Sequence, residues 1–185
     1  MKQEAGNGAK QYQAQGDMVV NHYESIPTGF SIQYKRLVEE FEKELKENNT
    51  EYTSFIGKIK HYTSKIDDFI GLEEKLREAG YEDHYKFALR YKEMYWQLLT
   101  ENDLSKATQK IHAFILARVS VLFILHIKGA INNGVSKEDV NDLIFNKVIF
   151  PIQEMLGENN VLDLYDDDIM SMIYFLTGNC HIRWI

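Results

Sequence analysis

The sequence predicts an all-α protein, a single multi-helix bundle of about six to eight helices behind a flexible N-terminal arm. Three observations carry that expectation. From Ser31 onward, apolar residues recur at the three- and four-residue spacing of one helix face. Only two prolines, Pro27 and Pro151, interrupt 185 residues, so long stretches have no reason to break a helix. After residue 30 no alternating apolar run is bounded by hairpin turns, which argues against a sheet. The expected division is an arm over 1–30 and one helical domain over 31–185, a length that fits a single domain.

Taken in order, the first segment is rich in Gly, Gln and Asn and has no helical period, so it reads as flexible, with a short extended piece at Met18-Val19-Val20. Ser31 is placed to cap a helix carrying Ile32, Leu37, Val38, Phe41 and Leu45. Thr50 is placed to cap a second, with Phe55, Ile59, Tyr62 and Ile66 on one face. A short helix follows Gly71 and stops at Gly80. The stretch from Glu82 to about Thr100 then aligns Phe87, Tyr91, Met94, Tyr95 and Leu98.

The longest helix starts near Ser105 and runs to about Asn132. It is apolar on most sides, which places it at the centre of its bundle. Asn132-Asn133-Gly134 supplies a left-handed stop, and Ser136 with Asp139 a capping-box-like start. Pro151 should kink or break the helix that follows. Asp166-Asp167-Asp168 precede a last helix, Ile169 to Leu176, that leads into Cys180 and Trp184.

Composition narrows function. The net charge is −7, but residues 104–135 carry four basic residues and no acid, while residues 136–185 carry three basic residues against nine acidic ones. An acidic chain repels phosphate backbones, so direct nucleic-acid binding is not expected. The single cysteine excludes an internal disulfide and fits a reducing, cytoplasmic compartment. Met1-Lys2-Gln3-Glu4 lacks the apolar core of a secretory signal. The apolar stretch from Ala113 to Ile131 is interrupted by Arg118, His126 and Lys128, and reads as a core helix with no membrane role.

Catalytic and metal motifs are missing. There is no GxxxxGK[ST], HExxH, CxxC or GxSxG. No enzyme activity, cofactor or metal is therefore expected. Cys180 and His181 would point about 100° apart on a helix, so a dyad would need a distant partner such as His112 or His126, and a small buried thiol is the simpler reading. The three aspartates suit the positive end of a helix better than a cation. The aromatic series Tyr81, Tyr85, Tyr91, Tyr95 and Trp96 is interleaved with acids and reads as core or protein interface. His126 reads as a core histidine. Arg118 falls on a face that should be buried and so must be paired, either inside the fold or with a partner. Tyr174, Arg183, Trp184 and Ile185, large or charged side chains near the end of the sequence, complete the expected partner-binding set. Two other classes stay open: a small enzyme with an unrecognised Cys or carboxylate site, and a helical toxin- or antitoxin-like regulator.

The tail goes further than the periodicity. Residues 168–184, with Tyr174-Phe175-Leu176-Thr177-Gly178-Asn179-Cys180-His181-Ile182-Arg183-Trp184, resemble the "YxLTGxCxIxW" closing pattern of the C-terminal domains of bacterial ABC-three-component conflict systems. Gly71-Leu72-Glu73-Glu74-Lys75-Leu76, Lys137-Glu138-Asp139-Val140-Asn141 and Val148-Ile149-Phe150-Pro151-Ile152 are similar as well, so the resemblance covers about residues 55–185. It implies an anti-phage or anti-plasmid defence system with an SMC/Rad50-like ABC ATPase and a small middle component as partners. In such systems this domain usually stands behind an effector and tethers it. This sequence departs from that layout, since only a short arm precedes the helical part, so a non-catalytic adaptor or scaffold is expected, with any effector on another chain. Homo-oligomerisation is left open.

Overall fold

The structure is a computed structural model that describes residues 9–14, 18–23, 29–47, 54–64, 70–100 and 104–185. Among these residues the helical domain comprises α1 (Gly29–Lys46), α2 (Gly57–Thr63), α3 (Leu72–Glu78), α4 (Tyr85–Thr100), α5 (Lys106–His126), α6 (Lys128–Asn132), α7 (Lys137–Ile144), α8 (Phe150–Leu156) and α9 (Asp166–Gly178). Because α6 continues α5 and α8 continues α7, these amount to seven helical rods, within the expected range. A hairpin precedes them. Strands β1 (Ala9–Ala14) and β2 (Met18–Tyr23) pair antiparallel with Tyr12 opposite Val20. The extended piece at Met18 was expected, but its partner strand was not. The remaining arm residues, and the proposed Thr50 cap and Ile66, lie outside the described residues.

Local chemistry explains most helix ends. Ser105 Oγ accepts from Thr108 N at 3.1 Å, and Ser136 Oγ accepts from Asp139 N at 3.1 Å, satisfying backbone donors that a first turn leaves open. Gly80 and Gly134 stop their helices with φ of 74° and 70°, a region that side-chain-bearing residues avoid. Ser31, in contrast, is not the cap of α1, which begins at Gly29. The buried stripe of α4 also differs by about a residue from the expected one. Ala88, Tyr95 and Leu99 face the core, while Phe87 remains 46% exposed.

Pro151 does not break its helix. Its missing N–H removes one α-type bond, and the preceding turn widens so that Phe150 N–H reaches back to Phe145 O, giving a π-helical turn over Phe145–Ile149. The chain runs on directly into α8.

Helix α5 lies at the centre, packed against α1, α2, α8, α9 and the π turn. Its Ile111, Ile115, Leu116, Val119, Leu122 and Phe123 are fully or almost fully buried. By length and hydropathy Lys106–Asn132 could cross a membrane, yet here those side chains form the bundle core. The largest helix–helix interface joins α4 to α9. At Gly178 an added Cβ would come within 2.6 Å of Lys92 Cδ, so the absence of a side chain lets the lysine stem cross α9.

Candidate interaction surface

The C-terminal residues expected to meet a partner fall into two groups. Trp184 is 1% exposed and Tyr174 is 3% exposed. The idea that a helical monomer cannot cover them is corrected by an aromatic cluster. The Trp184 ring lies 4.9 Å from Tyr81, 5.4 Å from Phe123 and 5.9 Å from Tyr174. Its Nε1 donates to Thr177 Oγ1 at 3.0 Å, and that hydroxyl donates to Ile173 O at 2.8 Å, so the indole N–H is satisfied as burial requires. Burial also pushes the Tyr174 hydroxyl pKa well up. Arg183 and Ile185, by contrast, stay exposed beside it. Arg118 is only half-buried, on a different part of α5.

A structured turn folds the tail back. Cys180 N donates to Thr177 O at 3.2 Å and His181 N donates to Leu176 O at 2.9 Å, the paired bonds of a Schellman stop. Cys180 occupies its left-handed position at φ 68°, where glycine is usual. Lys75, only 2% exposed, reaches from α3 to donate to the Thr177 carbonyl and to Cys180 Sγ, the latter at 3.2 Å. An ammonium at a helix C-terminus meets the negative end of its dipole, and the three aspartates at the N-terminus of α9 complement the other end. Asp168 accepts from Tyr165 N at 2.9 Å, as a cap. Desolvation lowers the Lys75 pKa, while the bond it donates to Cys180 opposes that shift.

The histidines are redistributed. His112, not His126, is the core histidine. Its Nδ1 lies 3.1 Å from Tyr95 Oη, and burial lowers its pKa to about 4. His126 is exposed, because it falls on the solvent side of α5 beside Leu125, while Phe123 and Ile127 keep the other side buried. Cys180 is half-buried and held by Lys75, so neither histidine forms the suggested dyad with it. Of the aromatic series, Tyr81 and Tyr95 are core, and Trp96 is partly exposed while stacked on Phe175. Among the described residues no three His, Cys, Asp or Glu side chains are grouped to hold a metal ion.

Several apolar side chains among the described residues face solvent, and two groups of them bear on docking. On α5, Val121, Ile124 and Leu125 are 45%, 50% and 67% exposed, at the i, i+3 and i+4 spacing of one face. Across the π turn, Phe145 and Phe150 are also about half exposed. At about 100° per residue an α-helix would set positions five apart roughly 140° from each other. The i→i+5 bond of the π turn instead sets Phe150 about one turn beyond Phe145, which brings the two positions toward the same side. Sequence reading missed both features. The signal was present in the apolar far side of α5, but it was taken as central burial.

No curated protein and no solved structure matches the chain. Residues 71–184 match the family described as C-terminal domain 9 of the ABC-three component (ABC-3C) systems. The match begins at the residue before α3 and ends at Trp184, so it takes in the lysine–helix lock and the aromatic cluster and leaves α1 and α2 outside. Covering well over half of the sequence, it shows that the chain belongs to the C-terminal domain 9 family of the ABC-three component systems.

Proposed function

We propose that the chain is a non-catalytic adaptor of its system, holding the other components together through helical surface. The proposed partners are an SMC/Rad50-like ABC ATPase and a small middle component, within a cytoplasmic defence system against phage or plasmids. One observation supports this above the rest. The central helix, which supplies much of the core, turns Val121, Ile124 and Leu125 outward. Grouped apolar side chains on a surface are the usual material of protein interfaces, where a few anchors carry most of the binding energy. Phe145 and Phe150 offer a second such anchor. Arg183 and Ile185 remain available to contribute at the tail.

The test is affinity for the two partner components, measured by calorimetry on the folded chain. Leu125→Asp should weaken at least one of the two complexes by about 2 kcal/mol or more, the scale of an interface anchor. Wild-type affinity for both components in a variant of unchanged helicity would refute α5 as the docking surface.

A further inference from the structure

Helices α1 and α2 both pack on α5 without packing extensively on each other, and a cleft of about 890 Å³ opens between them. That volume lies at the upper end of the ~300–1,000 Å³ typical of small-molecule sites. Its floor follows from sequence spacing. Lys110, Ala113, Phe114 and Ala117 stand at i, i+3, i+4 and i+7 on α5, and the two alanines, one turn apart, leave the space that larger side chains would fill. Helix α1 supplies Gln33, Arg36 and Leu37, and the α2 side supplies Ile56, Gly57, Lys58, His61 and Tyr62.

The charges are one-sided. Arg36 and Lys58 stand on separate walls of the cleft, and none of its described lining residues is acidic. Among the described residues, the carboxylate paired with a lining cation is Glu40, on Lys110. A cationic rim over an apolar floor complements one kind of molecule: an anion whose remaining surface is hydrophobic. We propose that this cleft binds a small organic anion with a largely apolar body, the anionic group between Arg36 and Lys58 and the body against Phe114 and the two alanines. A carboxylate, sulfonate or phosphate head meets the same requirement. The concavity favours a small molecule over the acidic segment of a protein, since three helices form a cleft instead of presenting a flat face.

The probe is the anionic dye anilinonaphthalene sulfonate, titrated into the full chain and followed by fluorescence, with its uncharged phenylnaphthylamine counterpart alongside. The dye should saturate one site per chain. Arg36→Ala with Lys58→Ala should weaken it about tenfold or more, as loss of a charge-assisted contact does. Ala117→Trp should abolish it by filling the floor, and the uncharged counterpart should bind more weakly than the dye. Circular dichroism establishes that each variant is folded. Should Ala117→Trp prove unfolded, Phe114→Ala, which enlarges the floor, must still change the dye affinity. Dye binding unchanged by these substitutions but lost in Leu125→Asp would place it on the exposed face of α5 and overturn the proposal. No saturable binding, or a cleft shielded only when a protein component of the system is added, would equally overturn it in favour of an acidic protein segment.

Discussion

The flank of α5 that meets α9 and the flank that meets α1 and α2 start from similar apolar side chains but end in different states. Toward α9 the packing is closed. Tyr174 stacks on Trp184 while Tyr81 meets it edge-on and Phe123 at a tilt, Lys75 locks the last turn of α9, and the indole N–H is satisfied internally. Toward α1 and α2 the packing is interrupted: Tyr34, Val38 and Ile59 are buried there, yet a cleft stays open between the two helices, and long-range hydrogen bonds flank it. Tyr34 Oη donates to Asn159 O at 2.7 Å, Gln109 Oε1 accepts from Ile56 N at 2.8 Å, and Glu44 Oε1 accepts from Ala107 N at 3.2 Å. The first flank lies within the family match, whereas α1 and α2 precede it. The difference separates two uses of aromatic and apolar residues. Those near the C-terminus close the fold, and those left over on α5 and around the cleft are free to meet something else.

Breaking the closed flank should have the largest effect. Trp184→Ala removes a fully buried indole and leaves Thr177 Oγ1 without its donor, so it should destabilise by about 3–5 kcal/mol. In a chain of this length that lowers Tm by on the order of 10 °C in a thermal melt. A change of only a degree or two would mean that the aromatic cluster is loosely packed.

The acid limb of the stability curve should follow His112. Its folded pKa of about 4 lies below the ordinary 6.5, so the unfolded chain binds the extra proton first as pH falls. The stability this supplies is full above about pH 6.5 and lost as pH drops through about 4, a change of roughly 3 kcal/mol. His181 is shifted in the same direction by burial and by His61. Asp168, raised by burial, acts with the opposite sign. His112→Asn, which keeps an acceptor for Tyr95, should flatten the curve in urea denaturation measured across that range. An unchanged slope would show that His112 is not the titrating group.

Cys180 sharpens the comparison at smaller scale. Cys180→Ser keeps the left-handed backbone and exchanges a weak acceptor for a stronger one opposite Lys75, so stability should change by about 1 kcal/mol or less. Native thiol labelling should be slow, because the sulfur is half-buried and engaged. Fast labelling with lost function would instead favour a reactive cysteine. On the open flank, Arg36→Ala should leave stability within about 0.5 kcal/mol, since the side chain is exposed.

These contrasts also explain what the sequence could reveal. Helix caps at Ser105 and Ser136 and stops at Gly80 and Gly134 were legible because each is a local device of a few residues. The buried lysine was not, since Glu73-Glu74-Lys75 reads as a solvated charge run. The clue was its place in the stripe Leu72, Lys75, Leu76 and Ala79. The π turn was invisible because proline predicts a disturbance but not the form it takes. Trp184 was misplaced because its cover comes from Tyr81 and Phe123, far away in sequence, which no local pattern reports. His126 was misread as core for the same reason: it and His112 lie on one long helix, and only tertiary contacts decide which of its faces is covered.

The most direct test pairs the two flanks in one experiment, measuring both Tm and partner affinity for Leu125→Asp against the unmodified chain. If docking rests on surface that the core does not use, Tm should stay within a few degrees while affinity for the ABC ATPase or the middle component falls about thirtyfold, the equivalent of ~2 kcal/mol. Undiminished affinity for both components, with the fold intact, would contradict the account.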